Sequence, residues 1–215
     1  MSLEEILNKI REQAVRKDEL RQEIQTIARK TTRMSKQAIF LTHKNRIGEA
    51  EEVLKEASLN IVRLNEVLKA HPDLLSMGLI DPALEEYAEA QIFLKIIRDE
   101  KIPSPEDINI PSEQYVLGLA DVIGELRRRS LDLIRKGAVE EAEKCLNVME
   151  TIYNGIIGCD ELLIFISGLR RKCDVARRVI EATRGDVTAE VRRSALSNMM
   201  RDLQRILESK INREE

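Results

Sequence analysis

The sequence predicts an all-α protein, and three observations carry that expectation. All five prolines lie between Pro72 and Pro111, so long stretches on either side lack the residue that breaks helices. Only 3% of residues are aromatic and none is Trp, while 34% are charged and 43% hydrophobic, the balance of long amphipathic helices with aliphatic interiors. From Ser112 onward the chain is punctuated only by glycines, of which Gly137, Gly158 and Gly185 read as helix ends. A chain of 215 residues can bury its core without covalent staples, so one helical domain over 1–215 is expected.

The elements follow in order. The first Gly is Gly48, so 3–46 reads as one long helix, about 65 Å if unbroken. A second helix, 49–70, ends at Ala70-His71-Pro72, and a third, 81–100, opens after the Gly78-to-Pro82 break. Pro103, Pro105 and Pro111 mark 102–112 as a loop and the one candidate flexible insert. Beyond it, Gly137, Gly158 and Gly185 are the expected ends of helices 113–136, 138–157 and 160–184, with a last helix over 187–212. Short connections favour antiparallel neighbours, hence a bundle of about seven helices.

Several function classes are disfavoured. Cys145, Cys159 and Cys173 are odd in number, form no C-x-x-C pair and sit in apolar helical contexts, so they read as reduced core residues of a cytoplasmic protein. No window approaches 18 uncharged apolar residues, and the N-terminus has no signal-peptide core, so neither membrane nor export is expected. His43 and His71 are the only histidines and lie far apart, which leaves little support for paired-imidazole or zinc chemistry. No Glu-x-x-His pair, P-loop or G-x-G-x-x-G motif occurs.

Net charge is −3, but its distribution is uneven. Between Glu23 and Glu49 there is no acid, while Arg29, Lys30, Arg33, Lys36, Lys44 and Arg46 fall in that interval. A second cluster is Arg170, Arg171, Lys172, Arg177 and Arg178. Each run reads either as a solvated helix face or as a phosphate-binding surface. With three Phe and three Tyr, no base-stacking platform is expected.

The stretch Glu85-Glu86-Tyr87-Ala88-Glu89-Ala90 runs into the apolar Ile92, Phe93, Ile96 and Ile97. On a helix, Glu86 and Glu89 project about 60° apart and flank the direction of Phe93, with Lys95 on nearly the opposite side. Two inward carboxylates repel and lose hydration unless protons, cations or a metal compensate. Asp121 and Glu125, in GLADVIGE, are i and i+4 on one face, with Gly118 one turn earlier leaving a side-chain-free space. Each pair alone reads as readily as surface acids. Together, Glu86, Glu89, Asp121 and Glu125 would form an all-oxygen site for Mg²⁺, with Mn²⁺ as a substitute.

Three stretches together resemble the translin family, specifically its translin-associated factor X branch in an archaeal-type single-subunit form. They are RMSKQAIFLTHK at 33–44, LEEYAEAQIF at 84–93 and YVLGLADVIGELRRRSLDLIRKG at 115–137. The run GLRRKCDVARRVIEATRGD at 168–186 is similar to the family's last such segment, and the 102–112 loop is shorter than in eukaryotic relatives. The resemblance implies a seven-helix bundle assembled into a hollow oligomer, commonly octameric, around RNA. Its E-Y-x-E motif matches Glu86-Tyr87-Ala88-Glu89, its G-x-A-D aspartate matches Asp121, and the glutamate of the following G-E matches Glu125. Retention of all four implies the Mg²⁺-dependent endoribonuclease branch.

The expectation is therefore a homo-oligomeric, cytoplasmic endoribonuclease. Glu86, Glu89, Asp121 and Glu125 serve catalysis and metal binding, with either Glu125 or Glu89 as general base. Arg29, Lys30, Arg33, Lys36, Lys44, Arg170, Arg171 and Arg178 bind RNA, single-stranded or short duplex, or single-stranded DNA, by phosphate contacts with little sequence preference. Tyr87 and Tyr115 read as core aromatics. The alternatives are a non-catalytic translin-like binder whose acids pair with Arg127 to Arg129, and a helical scaffold that meets no nucleic acid.

Overall fold

The structure, a computed structural model, describes residues 2–71, 78 and 80–214, without the side chains of 210–214. Among the described residues it is all-α, with seven helices and no strand: α1 (Leu3–His43), α2 (Ile47–Ala70), α3 (Asp81–Ile97), α4 (Ser112–Arg135), α5 (Val139–Ile157), α6 (Asp160–Phe165) and α7 (Leu169–Glu214). Pro72 and most of the expected break before Pro82 lie outside the described residues. The chain forms two compact units, Met1–Val122 and Ile123–Glu215, which divide within α4.

In the first unit, α1 opens on a capping box: Ser2 Oγ accepts from Glu5 N–H, and Glu5 accepts from Ser2 N–H. It stops at Lys44 because Asn45 turns left-handed, at φ 57°, and Arg46 N–H donates back to the Leu41 carbonyl. Residues 2–17 are exposed, whereas from Ile24 onward Ile24, Ala28, Met34, Ala38, Ile39 and Leu41 are buried. They pack against α2 and α3, whose buried faces present Leu54, Ile61 and Leu64, and Tyr87, Ile92 and Phe93. Burying each of these larger side chains contributes roughly 1.5–3 kcal/mol.

The 102–112 loop departs from the expectation of a flexible insert, because it is tied down. Ser104 and Asp107 exchange backbone-to-side-chain hydrogen bonds, Tyr115 Oη donates to the Pro103 carbonyl at 2.7 Å, and Asn65 Nδ2 donates to the Asn109 carbonyl at 2.8 Å. Within the loop, Ile108 and Ile110 are buried.

In the second unit, α5 packs on α7 through residues spaced three and four apart: Ala142, Cys145, Leu146, Met149, Ile152 and Ile156 against Leu169, Cys173, Ala176, Ile180 and Val187. The expected helices 160–184 and 187–212 are replaced by the short α6 and a single α7 running through Gly185. The break falls at Gly168 instead, where φ is 81°, a conformation glycine takes without strain. A glycine inside a helix costs only about 1 kcal/mol relative to alanine, too little to end one that is packed along its length. Of the three cysteines, Cys145 and Cys173 are buried as expected, but Cys159 is half-buried at the start of α6, its Sγ 3.4 Å from Glu161 Oε2.

Candidate functional site

The acidic stretch lies on α3, whose start at Asp81-Pro82 uses a residue that donates no hydrogen bond where none is needed. Tyr87 is fully buried between the glutamates, and Gln91 Nε2 donates to its hydroxyl at 2.8 Å. Burial pushes the Tyr87 hydroxyl pKa up, so it stays a neutral core group as expected. With Tyr87 anchoring one side of α3, Glu86 and Glu89 lie on its neighbouring turns. Glu89 is buried at 9% exposure, and Glu86 keeps 21% of its side chain exposed. His43 is buried with its ring 4.8 Å from that of Phe93, which makes it part of the packing at this end of α1.

Gly118 has a different role from the open space expected of it. A Cβ placed there would lie 2.5 Å from the Glu85 carbonyl oxygen, 2.7 Å from Ala88 Cβ and 3.0 Å from Glu89 N. The glycine lets the backbone of α4 touch that of α3 at the glutamates. Asp121, half-buried, begins the next turn of α4, three residues on from that contact. In the second unit, Glu125 follows Asp121 by one turn of the same helix and lies 3.8 Å from Arg128 Nη1. Arg127 turns elsewhere, donating to Thr183 and pairing with Asp186.

The basic residues of α1 form one stripe. Arg29, Arg33, Lys36 and Lys44, at steps of four, three and eight, fall within about 80° of the helix circumference, and Lys30 lies off it. All five are exposed. Lys36 Nζ lies 3.7 Å from Glu86 Oε2, so the stripe meets the acidic stretch directly. Phe40, 48% exposed, sits between Lys36 and Lys44 and was absent from the sequence-based candidates. The four-residue spacing to each lysine is the signal that could have found it. Arg170, Arg171 and Arg178 are exposed on α7.

The donors suit a hard cation in kind, since all are carboxylates. Among the described residues, no group of three or more His, Cys, Asp or Glu side chains is gathered as a metal cluster. Mg²⁺ commonly binds through one or two protein carboxylates, waters and substrate phosphates, so this donor set remains compatible with it. No described helix is long and apolar enough to cross a membrane.

A model described as the Translin family matches residues 19–182. The chain is 34% identical over 190 residues to an uncharacterized protein of Methanocaldococcus jannaschii, MJ0175, covering 87% of this chain and 84% of that protein. Among solved structures, that of apo-NeC3PO superposes with a TM-score of 0.76 at 26% identity, covering 86% of this chain and 96% of that one. AfC3PO gives 0.72 at 32% identity, over 86% and 96%. Its complex with duplex RNA gives 0.73 at 32% identity, over 86% and 95%.

Proposed function

The chain belongs to the Translin family, and on that premise we propose that it is a self-associating RNA-binding protein and a Mg²⁺-dependent endoribonuclease of the translin-associated factor X type. One observation carries the reading: the basic stripe of α1 runs into the acidic stretch of α3 at Lys36 and Glu86. A strand held along the cations is thereby delivered to carboxylates that would otherwise repel it. That a similar protein is described as bound to duplex RNA supports the same reading.

In this account Arg29, Arg33, Lys36 and Lys44 bind phosphates, with Lys30, Arg170, Arg171 and Arg178 adding contacts of the same kind. Glu86, Glu89, Asp121 and Glu125 are the carboxylates that would hold the metal, one or two of them at a time, with waters and substrate phosphates as the remaining donors. When bound, Mg²⁺ would supply polarisation of a phosphoryl oxygen and activation of water at neutral pH, and Mn²⁺ would replace it. Lys36 offsets the charge of Glu86 until phosphate arrives. The burial of Glu89 keeps bulk water from competing for its oxygens. Whichever of Glu89 and Glu125 is not tied up by the ion would take the proton from the attacking water. The exposed apolar stripe of α7, Leu196, Met199, Leu203 and Ile206, repeats every three or four residues and supports assembly with further copies, proposed as a cytoplasmic homo-octamer.

A second reading is a non-catalytic translin-like binder of single-stranded RNA or DNA. The pairing of Glu86 with Lys36 and of Glu125 with Arg128 favours it. An end-labelled single-stranded RNA, incubated with wild type, Glu89→Gln and Asp121→Asn in Mg²⁺ and in EDTA, separates the two. The nuclease reading expects cutting only with Mg²⁺ and a loss of at least about 100-fold in either variant at unchanged elution volume. Binding without cutting leaves the second reading, and neither binding nor cutting refutes both.

A further inference from the structure

Phe40 is one of three phenylalanines and lies 48% exposed on the most basic face of α1. By helix geometry it falls within the same 80° stripe as Arg29, Arg33, Lys36 and Lys44, one turn from each of the last two. Lys44 Nζ stands over its ring, 5.6 Å from the centroid. That is near the outer limit of a cation–π contact, so a flat partner can displace the ammonium without large loss. An aromatic face flanked by cations at single-turn intervals matches the pairing that single-strand binders use, with bases stacked on rings and phosphates held by Lys and Arg.

We propose that Phe40 is a nucleobase-stacking platform. An unpaired base of bound RNA lies on its ring, Lys44 swings to the adjoining phosphate, and Arg33 and Lys36 hold the phosphates on the other side. Because Lys36 also meets Glu86, the stacked nucleotide sits one helical turn from the acidic stretch. A base inside a duplex cannot offer its face to a side chain, so this site selects unpaired nucleotides near the point of cleavage. The inference rests on the RNA-binding reading and adds strandedness to it.

The test uses the full-length protein in EDTA with a single-stranded RNA carrying one fluorescent adenine analogue, against the same RNA annealed to its complement. Wild type, Phe40→Leu, which keeps an apolar side chain without a π face, and Phe40→Trp are compared. Phe40→Leu is expected to weaken single-strand binding about 5- to 150-fold and to abolish the stacking-induced change in fluorescence. The slope of log K against log salt stays as in wild type, because the phosphate contacts remain. Phe40→Trp restores both signals, and duplex binding is unaffected by either variant. Wild-type affinity and fluorescence in Phe40→Leu overturn the platform while leaving RNA binding intact. A changed elution volume in Phe40→Leu overturns it in favour of a contact between copies. Failure of wild type to bind either RNA overturns the platform and the RNA-binding reading together.

Discussion

The Glu85 carbonyl oxygen lies 2.5 Å from the point a Cβ on Gly118 would occupy, closer than any real side chain approaches. Backbone cannot yield as a flexible side chain can, so Gly118→Ala must push α3 and α4 apart. A cost of about 1–3 kcal/mol is expected. Glu86 and Glu89 ride on the displaced turn, so cleavage should fall further than RNA binding. Gly185→Ala is the control: its Cβ meets nothing within 4 Å and the site is mid-helix, so a gain of about 0.5–1 kcal/mol is expected. Urea midpoints of the two variants should move in opposite directions.

Lys36 both neutralises Glu86 and contacts phosphate in the proposed mechanism. Lys36→Ala should lower the slope of log K against log salt by about 0.7 for a single strand, the signature of one lost phosphate contact. An unchanged slope would assign Lys36 to the ion pair alone.

The Tyr115 hydroxyl holds the Pro103 carbonyl at 2.7 Å and so fastens the 102–112 loop. Tyr115→Phe is expected to lose about 0.5–1.5 kcal/mol. Limited proteolysis should nick the loop faster in the variant, and equal nicking rates would show that the buried Ile108 and Ile110 suffice.

Burial pushes the Cys145 thiol up to about 11, from an ordinary value of 9.0, and Cys173 is raised for the same reason. Both should react slowly with a thiol reagent at neutral pH, while the half-buried Cys159 reacts first. The folded state holds the Cys145 proton more tightly than the unfolded chain does. Its contribution is therefore complete below about pH 9 and is lost as pH rises towards 11, by roughly 2 kcal/mol. Urea unfolding of Cys145→Ala and wild type, compared across that window, isolates this contribution.

Helix period and proline placement are local properties, and they determined the all-α class and the starts and ends of α2 and α5 to within two residues. The motifs spanning residues 33–137 likewise identified a family that the match over 19–182 bears out. Tertiary structure decided what distant neighbours decide. Glu89 is buried while Glu86 turns to Lys36, Gly118 is a contact rather than a gap, and the 102–112 loop is pinned. It also placed the helix break at Gly168 rather than Gly185. The physical reason is common to all of these. By local criteria a carboxylate, a glycine or a loop proline is compatible with several environments, and only packing against residues remote in sequence selects one.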